Sequence, residues 1–343
     1  MWLKKQFKST TFSVCAYYAI TSIGKTLRYS LGSIQNDHTG TTHRPLTLDQ
    51  SVAYITGAFS DYKCHSGVEQ FYGRVAEVGP GDNCGVALLF LADGCERVDL
   101  FDRFYAVRDT SQQARIYQRL VELYPALRER CRVYPPIDEF SFEGLYPHYG
   151  ESGTAERAFS ANHGYDFIVS RSALQTLTDP VTALRGMVRA LNDGGMLLHE
   201  IDLRDYTGMF SNGFYELKFL EIPEWIYKHM AYGYGRPNRI RVDRYRDILQ
   251  DEGLSVSVLV THLARVGEVS PHVSYGQIDK KVRDEALLYI RALRDRFARD
   301  FDAVSDEDLS VCGFFLIAAK PKDTIIGLQN GEHARGSAMG QLG

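Results

Sequence analysis

Apolar and polar positions follow two rhythms along this chain. Residues 12–31 and 47–60 repeat apolar side chains at helical spacing; the second run opens on the capping residue Thr47 ahead of Val52, Ile55 and Phe59. Residues 32–46 between them are polar and rich in Gly, Thr and His, and read as a loop. Beyond residue 70, short apolar runs trade places with helical stripes. Strands are predicted at 74–78, 97–101, 145–149, 166–170, 196–201, 254–260 and 309–319. Helices are predicted at 83–92, 112–124, 181–191, 242–251 and 280–301, the last with Val282, Ala286, Tyr289, Leu293 and Phe297 on one stripe. The alternation predicts an α/β fold: a doubly wound, mostly parallel sheet of seven strands with helices on both faces. Its last two strands look antiparallel.

The pattern also divides the chain. Residues 1–68 form a predicted N-terminal helical cap and 69–322 the sheet domain, with helical insertions near 203–240 and 265–308. Residues 323–343 have few large apolar groups and are expected to be a disordered tail. Length alone, 343 residues, would suggest two domains. The order of elements reduces this to one core with additions.

Composition narrows the function. Apolar residues make up 44% and charged residues 24%, an ordinary globular balance. A net charge of −4 argues against a nucleic-acid partner. The six cysteines are scattered singly with no C-x-x-C pair, which argues against a zinc site or a disulfide framework and fits reduced thiols in a cytoplasmic protein. Lys4, Lys5 and Lys8 precede an apolar stretch as in a signal peptide, but Thr10, Thr11, Ser13, Thr21 and Ser22 interrupt it. No run approaches the ~18 consecutive apolar residues of a membrane span. The stretch therefore reads as an amphipathic helix, with peripheral membrane or partner contact as the lesser reading. The 21 tyrosines hint at polar ligands such as sugars.

In doubly wound sheets the ligand sits beyond the carboxyl ends of the strands. That rule selects residues 79–83, 102–103, 170–172 and 199–205. Gly79-Pro80-Gly81 follows the first strand and opens a helix, so backbone could pass close to a ligand and free N–H groups could face it. Asp102 ends the next strand, where an acid can accept both hydroxyls of a ribose. An adenosine-type cofactor fits; the alternative is a structural turn with a capping Asp. Cys84 stands where a dinucleotide fingerprint wants glycine, and Glu77 would repel a pyrophosphate but favour a cation.

The stretch Val75-Ala-Glu-Val-Gly-Pro-Gly-Asp-Asn83 resembles motif I of class I S-adenosylmethionine-dependent methyltransferases. Thr154-Ala155-Glu156 resembles the segment that borders the adenine, Tyr165–Ser170 the fourth strand, and Leu191–Leu198 the turn and fifth strand. The resemblance covers roughly 62–322. It implies S-adenosylmethionine as cofactor, held by Tyr62, Glu77, Gly79, Pro80, Gly81, Asn83, Asp102, Arg103, Ala155, Glu156 and Ser170. A narrower resemblance, on G-P-G-D-N-x-G-V-A-L, His199-Glu-Ile-Asp202 and Asn238-Arg-Ile-Arg241, is to bacterial methyltransferases of surface-glycan gene clusters. It implies a sugar or glycan hydroxyl as acceptor and glycosyltransferases of the same pathway as partners. Gln175-Thr-Leu177 departs from the acidic-histidine turn that many relatives carry after the fourth strand.

An alcohol needs a base as its bond to the methyl forms. His199 is the candidate, oriented by Asp202; a structural histidine is the alternative. Arg171 could hold an acidic acceptor or form a loop salt bridge, and Arg239 and Arg241 could line an anionic-acceptor pocket or start a solvated helix. Asn238, Asp205, Tyr206 and Tyr215 complete the expected acceptor set, although aromatic residues in an insertion also simply pack it. No metal is expected. Two other functions compete: a nicotinamide-dependent oxidoreductase, and a non-catalytic relative that binds a partner.

Overall fold

The computed structural model describes residues 10–32, 40–205, 208–210, 214–231 and 236–322, together with the backbone of 35–36. The expected tail 323–343 and Tyr206 lie outside the described residues.

The main sheet has eight strands: β1 (Arg74–Val78), β2 (Arg97–Asp102), β3 (Leu145–Tyr149), β4 (Tyr165–Arg171), β5 (Leu191–Asp202), β6 (Ser255–Leu263), β7 (Gly267–Val273) and β8 (Val311–Ala319). Their spatial order is β3-β2-β1-β4-β5-β8-β6-β7. The first five run parallel, and β8, β6 and β7 pair antiparallel. The expectation of seven strands is thus corrected to eight. The extra strand, β7, lies where a helical insertion was expected. It follows β6 through a tight turn in which Arg265 and Gly267 both take positive φ. Its pattern is weak because it is an edge: only Val269 is buried, and Pro271 is tolerated there. The long helix expected at 280–301 ends at Leu293, and two single turns follow.

The longer helices among the described residues are α1 (Thr11–Ser30), α2 (Leu48–Ser66), α3 (Gly85–Asp93), α4 (Thr110–Leu123), α5 (Ala155–Ala161), α6 (Pro180–Ala190), α7 (Glu224–Ala231), α8 (Val242–Asp251) and α9 (Lys280–Leu293); Ala126–Glu129 and Asp306–Ser310 add one short turn each. Caps explain several of their starts. Thr47 and Gln50 form a capping box on α2, and Asp109 and Asp179 accept from the first turns of α4 and α6.

Strand parity distributes the core. Ala76, Ile168, Leu197 and Ile201 face one side, with α5, α6 and α8. Val75, Val98, Val169 and Leu198 face the other, with α2, α3 and α4. Both phases of the central strands are apolar because both sheet faces are covered. A third cluster joins Val14 and Tyr18 of α1 to Phe219, Tyr227 and Met230 around α7 and to Ile290 of α9. The cap is more than an appendage. Gln35–Asn36 pairs with Tyr105–Ala106, and residues 40–46 reach the loop after β1.

Candidate functional site

The loop after β1 is held by backbone geometry. Gly79 and Gly81 take φ of 74° and 69°. A Cβ on Gly79 would lie 2.6 Å from the Ala173 Cβ, and one on Gly81 would lie 3.0 Å from the Gly40 carbonyl. Two conditions therefore demand glycine, the left-handed backbone and the close approach of a neighbouring chain. Asp82, buried beneath the loop, accepts from the His43 N–H (3.1 Å) and the Arg44 N–H (3.1 Å). Arg108 braces the same loop: it pairs with buried Glu139, donates to the Gly81 carbonyl at 3.3 Å and to the Tyr149 hydroxyl at 2.6 Å. Sequence reasoning missed Gly40, Arg108 and Glu139, and gave Asp82, inside the selected stretch 79–83, no role. Nothing local distinguishes them from ordinary loop and surface residues, since their partners are 27 or more positions away.

Beside this loop lies a cleft of about 160 Å³ at the carboxyl edge of the sheet. Gly79, Gly81, Asp102, Arg103, Ala155 and Glu156, six expected cofactor residues, line it. Asp102 accepts from the Phe104 N–H at 3.0 Å, and burial pushes its carboxyl up to about 6, against backbone donors and the charge of Arg108. Glu156 accepts from the N–H groups of Thr178 (3.1 Å) and Asp179 (3.2 Å), and Arg103 pairs with it at 3.7 Å. Together they fix the far wall. Asn83 turns inward: its amide donates to Gln113 at 2.7 Å and its oxygen accepts from the Gly85 N–H at 2.6 Å. It starts α3 and does not line the cleft.

Among the buried polar atoms around the loop that have no partner among the described residues, with His43 Nδ1 and Arg108 Nε, are Glu77 Oε2 and the Tyr62 hydroxyl. Both side chains are buried. Burial pushes the Glu77 carboxyl up to about 8. It raises the Tyr62 phenol too, and the neighbouring Glu77 charge adds to that rise. A buried carboxylate without a donor is costly and calls for a cation or a hydrogen-bond donor.

The end of β5 separates into two faces. His199 shares its face with Leu197 and Ile201, is fully buried, and holds its Nδ1 2.8 Å from the Ser170 Oγ. Desolvation pushes it down to about 3, so it is neutral. A base must reach the acceptor and hold its proton near neutral pH; this imidazole lies inside the core and is poor at both. Ser170, expected at the cofactor, lies beside it and is equally buried. Glu200, one residue on, points to the α2 side. It accepts from the Ser172 hydroxyl at 2.8 Å, and burial raises its carboxyl while the Arg171 charge opposes the rise. Arg171 pairs with Asp61 of α2 at 2.8 Å. Asp202 does not orient His199: it takes two guanidinium bonds from Arg204, at 2.9 and 2.8 Å, and a third from the Arg204 N–H at 3.0 Å.

Most of the expected acceptor residues are spent on structure. Arg239 is buried against Tyr227, bonds the carbonyls of Phe219 and Ile222 and pairs with Glu224. Arg241 is buried and donates to the carbonyls of Leu203 (3.2 Å), Leu309 (3.1 Å) and Val311 (2.5 Å). The expectation that they line an anionic pocket is corrected; both stitch the insertion to the sheet. Asn238 donates to the Leu174 and Leu177 carbonyls at 2.8 and 3.3 Å, holding the turn after β4. In that turn Gln175 is buried with neither amide atom partnered among the described residues. Asp205 accepts from the N–H groups of Met209 and Phe210, and Tyr215 bonds Glu221. Both still line a second cleft of about 410 Å³ with Arg204 and Phe214.

No family model and no curated protein matches the chain. Among solved structures it is similar to the N-methyltransferase NodS of Bradyrhizobium japonicum in complex with S-adenosyl-L-homocysteine, at 14% identity over 87% of this chain and 98% of that chain, with a TM-score of 0.38. It is also similar to phosphoethanolamine N-methyltransferase 2 of Haemonchus contortus in complex with S-adenosyl-L-methionine, at 14% identity over 82% of this chain and 59% of that chain, with a TM-score of 0.39. A third is the [4+2]-cyclase SpnF, at 14% identity over 90% of this chain and 94% of that chain, with a TM-score of 0.38. Likenesses this distant leave the chemistry to be argued from the residues.

Proposed function

We propose that this protein moves a methyl group from S-adenosylmethionine to a hydroxyl of a sugar or glycan. The observation that carries the reading is the cleft lined by Gly79, Gly81 and Asp102, supported by Glu77 Oε2 and the Tyr62 hydroxyl, which are buried and unpartnered among the described residues but do not line that cleft. The donor set suits an adenosine with a cationic end: Asp102 for the ribose, Arg103, Ala155 and Glu156 around the adenine, Glu77 and Tyr62 for the ammonium. Bound there, the cofactor supplies a methyl already activated by its sulfonium.

What the chain must add is alignment, exclusion of water and a home for the acceptor's proton. Glu200 is the proposed proton acceptor, since it lies on the α2 side with Arg171 and its carboxyl is raised. His199 is proposed to position the end of β4 through Ser170. The cleft with Asp205 and Tyr215 is proposed for the acceptor, with glycosyltransferases of the same pathway as suppliers of the glycan. Calorimetry with S-adenosylmethionine and with NADPH tests the cofactor: binding of NADPH alone sinks the reading, and binding of neither favours a non-catalytic relative. Transfer of labelled methyl to glycans but not to amines is the expected acceptor profile.

A further inference from the structure

Helix α1 is apolar on two sides. Val14 and Tyr18 are buried in the cluster that contains Tyr227 and Met230. Away from that face, Phe12, Ile20, Ile23, Leu27 and Leu31 are all exposed, from 59% at Leu27 to 87% at Leu31. At about 100° per residue these five fall in one sector of the helix, a continuous strip along its length. Trp225 of α7, 69% exposed, widens the strip across a groove of about 710 Å³ between the two helices. A strip of this kind marks an interaction surface.

Charge selects the partner. Residues 1–36 contain Lys4, Lys5, Lys8, Lys25 and Arg28 and neither Asp nor Glu, in a chain whose net charge is −4. A second copy would set one basic segment against another. No helix among the described residues is long and apolar enough to cross a membrane. Tryptophan at the rim suits a membrane–water boundary. We propose that the α1–α7 face docks on an anionic lipid surface, the apolar strip entering the headgroup layer and the lysines that precede α1 in the sequence, Lys4, Lys5 and Lys8, supplying the attraction to lipid phosphates; Lys25 and Arg28 lie outside the strip's sector. The far end of α1 meets the cofactor cleft: the Tyr29 hydroxyl donates to Glu151 at 2.5 Å, and its ring lies 5.5 Å from that of Phe104, a cleft residue. Docking would bring the membrane beside the cleft mouth.

Co-sedimentation of the full chain with two sets of vesicles tests this, one of phosphatidylcholine and one of phosphatidylcholine mixed equally with phosphatidylglycerol. The mixed vesicles should capture the protein and release it as salt rises. The double variant Ile23→Glu, Leu27→Glu should bind roughly tenfold less or worse, with its unfolding midpoint unchanged because both side chains are exposed. A triple Lys4→Gln, Lys5→Gln, Lys8→Gln variant should lose the preference for anionic vesicles. Equal capture by both vesicle types, capture by neither, or a dimer in sedimentation velocity that the glutamate variant dissolves would overturn the proposal. None of these readouts depends on methyl transfer.

Discussion

The half of the carboxyl edge at β1 and β2 and the half beyond β5 treat their polar residues in opposite ways. At β1 and β2, Glu77 and Tyr62 keep atoms with no partner among the described residues, and Asp102 faces a cleft. Beyond β5, Asn238, Arg239 and Arg241 give their donors to carbonyls of the protein itself. A charged residue in a motif is thus no guide to a ligand until its donors are counted. The first half leaves carboxylate and hydroxyl oxygens without a partner among the described residues, and the second commits most of its guanidinium and amide donors, the Nε atoms of Arg239 and Arg241 excepted.

Replacing Glu200 with Gln should have the largest effect. Turnover should fall by ~10²–10⁴ with cofactor affinity kept, whereas His199→Asn should act mainly on stability. Equal losses of turnover in both would erase the distinction between the two faces of β5. Arg241→Leu follows. It strands three carbonyls, so unfolding in urea should show a loss of about 2–4 kcal/mol with the acceptor KM unchanged in whatever protein stays folded. A raised KM at full stability would return Arg241 to the acceptor site. Asp102→Asn should weaken cofactor binding by about 1.5–3 kcal/mol in calorimetry, and unchanged affinity would move the ribose elsewhere.

Stability against pH probes Glu77 directly. Its folded value, about 8, lies above its ordinary 4.5, so the folded state holds a proton that the unfolded chain releases. The stabilisation from this group is full below 4.5 and is lost as pH rises through about 8. Glu77→Gln should flatten that fall, and a slope identical to the parent's would show that the carboxyl is not held neutral. The smallest effect is expected from Tyr215→Phe: about 1 kcal/mol of stability, from the lost bond to Glu221.

Much of the fold was legible. Strands 74–78 and 145–149 and helix 242–251 stand within the predicted bounds, because apolar periodicity and turn residues act locally. β7 escaped notice because an edge strand with one buried residue has almost no alternation to show. Helix α7 lies inside the helical insertion expected near 203–240, but its bounds are not marked by the polar and aromatic residues there. In the cleft, Gly79, Gly81 and Asp102 were legible because a positive φ and a strand end are local demands. Asn83 and Ser170 were misplaced because each depends on a neighbour, Gln113 and His199, that the local sequence does not name.

Histidine and glutamate at 199 and 200 show where sequence stops. The run Leu197-Leu198-His199-Glu200-Ile201 puts apolar residues in both phases, as a strand covered on both faces must. Alternation then separates His199 from Glu200 but does not say which of them meets the core. The sequence by itself determined the elements, their alternation and the glycines that the turn requires, since these follow from each residue's own backbone and its near neighbours. Only the tertiary structure decided which face of β5 packs against α2 and which arginines are spent inside, because those depend on groups brought together from distant parts of the chain.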